Sequence, residues 1–393
     1  MNIQQVKDEL TQTILPFWLN LRDEKYGGMF GKVSFELQVD KQANKGGIAT
    51  ARHLWAFSSS YRVLGHPEYL EMAKHMYSFL SKHCIDKEYG GIYWMLDYKG
   101  EVVDCRKHVY TQAFAIYGLS EYYRISKNPE ALQLALQLYH LIESKGYDEK
   151  NKAYKEEFDR EWNETPNEML SENGVLADRT MNTHIHVLEA YTNLYKVYPN
   201  QELKEKLIRL LSIHYKNIYQ ANGFLGVFFD KKWNHLIDVK SFGHDIEASW
   251  LIDETLKVLG CEEETYHQMV IDVAYNILQH AFHSDGSLLN ESENGVIDTT
   301  RIWWVQAEAL VGFYNAYIKT SDPQFKVAAE KVWSYIMRYI KDPREKGEWY
   351  YSVDENGQPI KQNVCEPWKV SYHNSRSCLE IIERIKEMES MEK

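Results

Sequence analysis

Residues 86–94 read DKEYGGIYW. An acidic start, two adjacent glycines and flanking aromatics spell a tight turn inside a short strand pair. The same pattern recurs along the chain. DEKYGGMFG starts at 23, DEKNKAYKEEF at 148, NGFLGVFFD at 222, DGSLLNES at 285 and KGEWYYSVDENG at 346. From 23 through 86 to 346 the steps are 63, 62, 74, 63 and 61 residues. A near-fixed period of this length marks a repeat architecture, and it outranks any local motif.

The segments between the turns are helical and come in pairs. ARHLWAFSSSYRVLG (51–65) precedes PEYLEMAKHMYSFLSKHC (67–84), and VYTQAFAIYGLSEYYRIS (109–126) precedes PEALQLALQLYHLIESKG (129–146). Proline at the start of the second helix is a start signal, because its missing N–H is one the first turn leaves unpaired anyway. The first helix of each pair is apolar nearly all round and rich in small residues, as an inner helix must be. The second is amphipathic, as suits an outer ring. The N-terminal helix has no preceding partner and the C-terminal helix, from His373, has no following one, so the two ends complete one unit. The pattern predicts an all-α fold: a closed (α/α)6 barrel of six helix pairs joined by short β-hairpin loops, one domain over residues 1–393. An open solenoid is the alternative, and its ends would need polar caps.

The inner helices share a polar first turn. Arg52, Tyr110, Asn182, His244, Trp304 and His373 follow one another at steps of 58, 72, 62, 60 and 69 residues. Six equivalent positions at six helix starts form a ring around one mouth of the barrel. His186, Glu247, Trp303 and Glu308 stand close to the same ring in sequence. His244 and Glu247 are i,i+3 and Asn182 and His186 are i,i+4, so each pair shares a helix face. Asn182 and Asp245 also stand where capping residues would. His184, two residues before His186, points elsewhere and reads as structural.

Composition narrows the function. Net charge is −12, and no basic stripe could neutralise a nucleic-acid backbone. No run of 18 apolar residues could span a membrane, and the first residues lack a signal-peptide pattern. Five cysteines (Cys84, Cys105, Cys261, Cys365, Cys378) never form CxxC, which suits reduced thiols in the cytoplasm. The 28 Tyr and 11 Trp would fill a large core and could also line a sugar-binding cleft. His186, His244 and His373 could in principle hold a metal, but no HExxH, P-loop, GxGxxG or GxSxG motif is present.

Four motifs in order, RTMNTHIHVLEAYTNLY (179–195), GHDIEASW (243–250), WWVQAEALVGF (303–313) and YHNSRSCLEII (372–382), resemble the N-acylglucosamine 2-epimerase superfamily. Within it they resemble most the cellobiose 2-epimerases, from LPFWLNLRDEKYGG (15–28) to CLEIIERI (378–385). The resemblance implies inversion at C2 of the reducing-end sugar of a β-1,4-linked disaccharide, without metal or redox cofactor. It places the acid–base pair on His244 and His373. Substrate contacts fall on Arg52, Tyr110, Asn182, His186, Glu247, Trp303, Trp304, Glu308 and Trp368. The residue types suit the reaction. Imidazole titrates near neutrality and serves as acid or base. Arg52 could hold a developing oxyanion, and Glu247, one turn from His244, could orient that ring. A disaccharide with a free reducing end is the expected partner, and a monomer the expected state. Rival readings are a monosaccharide aldose–ketose isomerase, an N-acylglucosamine 2-epimerase, a glycoside hydrolase acting through Asp245, Glu247 or Glu308, and a non-catalytic helical scaffold.

Overall fold

A computed structural model describes residues 1–170 and 174–391. The domain expected over 1–393 therefore includes residues 171–173 and 392–393, which lie outside this description. Counting residues 3–19 as one helix broken by a wide turn, the described residues form twelve helices. The outer ones are α1 (residues 3–19), α3 (Pro67–Phe79), α5 (Pro129–Leu141), α7 (Gln201–Ile213), α9 (Glu264–His280) and α11 (Pro323–Tyr335). The inner ones are α2 (Gly47–Leu64), α4 (Val109–Ser126), α6 (Met181–Val197), α8 (Phe242–Leu259), α10 (Trp303–Thr320) and α12 (Tyr372–Met391).

Local chemistry sets these bounds. Proline opens α3, α5 and α11 within the first turn, and Asn128, Asn200 and Asp322 cap α5, α7 and α11 through side-chain oxygens. Outer helices bury one stripe: Tyr69, Met72, Ala73, Met76 and Phe79 in α3. Inner helices are buried on every side, and small residues let them approach. A Cβ on Gly118 of α4 would stand 2.6 Å from Ala51 O of α2, and one on Gly312 of α10 would stand 2.8 Å from Ile246 O of α8.

Each inner helix contacts the next, and α12 contacts α2, so the ring closes. The N-terminal α1 packs on α12, which completes the sixth pair from the two ends of the chain. Both rims record the closure. At the inner-helix C-termini, Arg62 of α2 pairs with Glu121 of α4 and Glu383 of α12. Lys196 pairs with Glu254, Lys319 with Asp253, and Arg384 reaches Asn315. At the N-termini, the strands that enter five of the inner helices pair with the hairpin of the next repeat. Lys45–Gly46 pairs with Met95–Leu96, Arg179–Thr180 with Phe228–Phe229, and Val239–Ser241 with Glu291–Glu293. The bridge Val33↔Cys365 joins first repeat to last.

Two repeated devices fix the hairpins. The hairpin aspartate takes the cation that precedes the next inner helix: Asp23 with Lys45 (2.7 Å), Asp86 with Lys107 (3.0 Å) and Asp148 with Arg179 (2.7 Å). The fourth residue of the inner helix then grips the hairpin backbone. Gln112 Oε1 accepts from Ile92 N at 2.6 Å, Gln306 Oε1 from Leu288 N at 2.9 Å, and His184 Nε2 from Tyr154 N at 3.0 Å. Asp245 occupies this position in α8 and accepts from Leu225 N at 3.2 Å. It therefore does not cap its own helix, as its place in the sequence suggested. His184 is structural, as expected.

Candidate active site

The hairpin rim and the inner-helix N-termini surround a cavity of about 460 Å³. Arg52, Tyr110, Asn182, His186, His244, Glu247, Trp303, Trp304, Trp368 and His373 all line it. Glu308 does not, so the structure corrects its expected substrate contact: it stands behind His373, one layer into the wall. Leu170, Ser241, Asn290, Glu291, Ile302 and Tyr351 line the cavity unforeseen. Most of these sit on the hairpins and entry strands, whose side chains the helix-start spacing does not reach. Ser241 alone carried a signal, as a serine one residue before α8.

His373 is held from behind. Its Nδ1 lies 2.7 Å from Glu308 Oε1. Glu308 also takes Arg376 at 2.7 Å and the indole N–H of Trp250 at 3.0 Å. The Arg376 guanidinium bonds Glu247 and Glu189 as well. Glu189 accepts from Tyr372 Oη at 2.6 Å and holds His186 Nδ1 at 2.8 Å. Burial raises both Glu247 and Glu308, Glu247 to about 8 with the charge of Glu308 as second cause. Arg376 and the Trp250 indole N–H both donate to Glu308, so it is the ionised member of the pair and Glu247 carries the proton. An ionised carboxylate only accepts, so His373 is protonated on Nδ1 and its Nε2 lone pair is the free one. Glu189 is also ionised: burial pushes it up, but Arg376 and His186 outweigh this and hold it near 2.

This network overturns one expectation. Glu247 does not orient His244; Arg376 takes it instead. The Nδ1 of His244 lies 2.7 Å from Ser241 Oγ. Both cavity imidazoles are neutral. Burial lowers His244 to about 3 and His373 well below its ordinary value, with Arg376 adding to the second shift. Trp304 contacts both, its ring centroid 4.7 Å from His244 and 5.7 Å from His373. Trp303 turns into the wall against Tyr351 at 4.4 Å. Arg52 donates to Tyr110 Oη at 2.6 Å and lies 4.2 Å over the Phe114 ring, while its Nε has no hydrogen-bond partner among the described residues. Asn182 Oδ1 is likewise unpartnered. Trp368 meets Trp94 edge-on at 5.8 Å and Tyr110 at 6.5 Å.

Metal-ligating groups among the described residues come together at Glu247, Glu308 and His373, not at the three histidines considered from sequence. Arg376 already bonds both of those carboxylates, so a guanidinium takes the place a cation would need. No described helix is long and apolar enough to cross a membrane.

Fold and cavity together define an all-helical barrel whose inner-helix N-termini gather histidines, an arginine and tryptophans at one mouth. The chain belongs to the N-acylglucosamine 2-epimerase (GlcNAc 2-epimerase) family, whose sequence profile matches residues 28–377. It is 46% identical to the cellobiose 2-epimerase of Dictyoglomus turgidum over 384 residues, 97% of this chain and 98% of the relative. It is 46% identical to that of Ruminococcus albus over 389 residues, 98% of this chain and 99% of the relative. The solved cellobiose 2-epimerase from Bacillus thermoamylovorans B4167 superposes with a TM-score of 0.96 at 56% identity, covering 97% of this chain and 99% of that one. Kinship of this extent makes the chain an epimerase.

Proposed function

We propose that the chain inverts C2 of the reducing-end sugar of β-1,4-linked disaccharides, turning cellobiose into glucosyl-mannose and lactose into epilactose. One observation carries the mechanism: two neutral imidazoles from different helices, both against Trp304, each tied at Nδ1 and without a partner at Nε2 among the described residues. The sugar ring opens, and the C1 aldehyde acidifies the C2 proton. One imidazole takes that proton through Nε2, leaving an enediolate. The other, neutral in the unliganded site, picks up a solvent proton at Nε2 once the anionic enediolate lies against it and delivers that proton to the opposite face of C2, while the first releases its proton to solvent. Arg52, its positive charge facing the cavity, stabilises the enediolate oxygens. Tyr110, Asn182 and His186 bond sugar hydroxyls. Trp304 and Trp368 offer faces for the rings, while Trp303 supports from the wall.

The hydrolase reading loses two of the three carboxylates expected for it. Of Asp245, Glu247 and Glu308, only Glu247 lines the cavity, where it is bonded to Arg376; Glu291 on the rim is the other carboxylate there. A glycosidase needs two carboxyl groups flanking one scissile bond. The test is incubation with cellobiose and lactose in D₂O after exhaustive chelation. Deuterium at C2 of an epimeric disaccharide is the expected result. Deuterium at C1 of a ketose would favour the aldose–ketose isomerase, and activity restored only by added zinc or manganese would favour metal assistance. Release of monosaccharides would overturn the epimerase reading.

A further inference from the structure

Ser241 is the N-cap residue of α8, yet its side chain makes no bond to the helix N–H groups. That is unusual, since a capping serine stabilises its helix by about 1 kcal/mol. Equivalent positions behave as expected: Thr180 accepts from Thr183 N at 3.0 Å and His108 from Tyr110 N at 3.1 Å. In α8 the hydroxyl is diverted to His244 Nδ1, at 2.7 Å. The backbone of Ser241 is fixed by its pairing with Glu291, so the hydroxyl is aimed from a rigid strand. Both Ser241 and His244 line the cavity.

The three cavity histidines differ in one respect. His373 and His186 are tied to the carboxylates Glu308 and Glu189. His244 is tied to a neutral hydroxyl. We propose that Ser241 is a positioning residue: its Oγ accepts from the Nδ1–H of His244, holds the tautomer with a bare Nε2 toward C2, and leaves this ring without the carboxylate support that His373 has. The inference rests on the epimerase reading above. It gives the two faces of C2 unequal bases: a carboxylate-supported imidazole on one side and a hydroxyl-supported imidazole on the other. Asp245, Glu247 and Lys240, the charged neighbours in sequence, do not hold this ring. Asp245 serves Leu225 N and Glu247 serves Arg376, while Lys240 lies over Phe224.

Two measurements test it. In the unliganded protein, ¹⁵N NMR should find His244 as the Nδ1–H tautomer, and Ser241→Ala should abolish that preference. A wild-type Nε2–H tautomer overturns the assignment whatever the substrate proves to be. In kinetics, Ser241→Ala should lower kcat roughly tenfold with little change in KM, a fraction of the ~10²–10⁴ an acid–base group supplies. Ser241→Thr should restore most of it. Ser241→Asp should move the acidic limb of the pH profile upward, because a carboxylate makes the imidazole more basic. Wild-type C2 exchange with Ser241→Ala unchanged in kcat and pH profile overturns the positioning role alone. Failure of the wild type to exchange C2 of any reducing disaccharide overturns the epimerase reading and this inference with it.

Discussion

At His373 a carboxylate, an arginine and an indole converge to hold one imidazole, and removing the charge from that arrangement has a definite consequence. Glu308→Gln keeps the shape but no longer supports the imidazolium that forms when His373 takes the C2 proton. We expect kcat to fall by about 10- to 100-fold, KM to change less, and the acidic limb of the pH profile to move down, since an unsupported imidazole is less basic. Glu247→Gln should leave that limb in place, because Glu247 already carries a proton near neutrality. Equal shifts in both variants would show that the two glutamates act as one unit. The contrast reverses what sequence spacing suggests. Glu247 lies one turn from His244 and so reads as its partner, whereas Glu308 and His373 lie on different helices and share no spacing. What decides between them is Arg376, which comes from α12 and reaches three carboxylates from three other helices. A partner chosen across the barrel leaves no mark in local periodicity.

At the scale of elements, the recurring unit is the inner helix together with the hairpin it grips. The hairpins were legible because acidic, glycine-bearing turns recur at a near-fixed step, and the helices because their apolar faces differ in width between the two rings. The grip was not. Gln112 and Gln306 bond both N–H and C=O of one hairpin residue, Ile92 and Leu288. Asp245 stands at the same position, and burial raises its pKa well above the ordinary value. A protonated Asp245 accepts from Leu225 N as the glutamines accept from their hairpins, and its other oxygen, buried without a hydrogen-bond partner among the described residues, carries the O–H donor. Asp245→Asn supplies that donor permanently. Folded Asp245 binds its proton more tightly than the unfolded chain does, so its stabilising share is complete below about pH 4 and is lost as pH rises toward the folded pKa, at about 1.4 kcal/mol per unit. The variant should match the wild type in Tm near pH 4.5 and exceed it increasingly from pH 6 to 9. Melting curves across that range decide the matter, and a Tm lower than wild type throughout would mean that the carboxylate is ionised and needed as such.

For the whole molecule, closure of the ring buries ionisable groups of both kinds, and the two kinds set opposite slopes of stability against pH. Burial lowers His53, His108, His184 and His244 to about 3 and His214 to about 4, and it lowers His75, His186 and His373 as well. Unfolded histidine takes a proton near pH 6.5, so stability is lost as pH falls below that point. Burial raises Glu156 and Glu247 to about 8 and raises Asp245 and Glu348. Unfolded carboxylates ionise near pH 4, so these groups lose stability as pH rises above that point. Between pH 4.5 and 6.5 the eight histidines outnumber the four carboxylates, and stability climbs. Above 6.5 the histidines contribute nothing further and the carboxylates alone act, so stability declines. Below 4 the ion-paired hairpin aspartates Asp23, Asp86 and Asp148, all lowered in the fold, add their own loss. Tm measured from pH 3.5 to 9 should therefore pass through a maximum near 6.5 and fall on both sides, more steeply on the acid side. A Tm that keeps rising to pH 9 would mean that the buried carboxylates are ionised in the fold, and with them would go the assignment of the proton to Glu247.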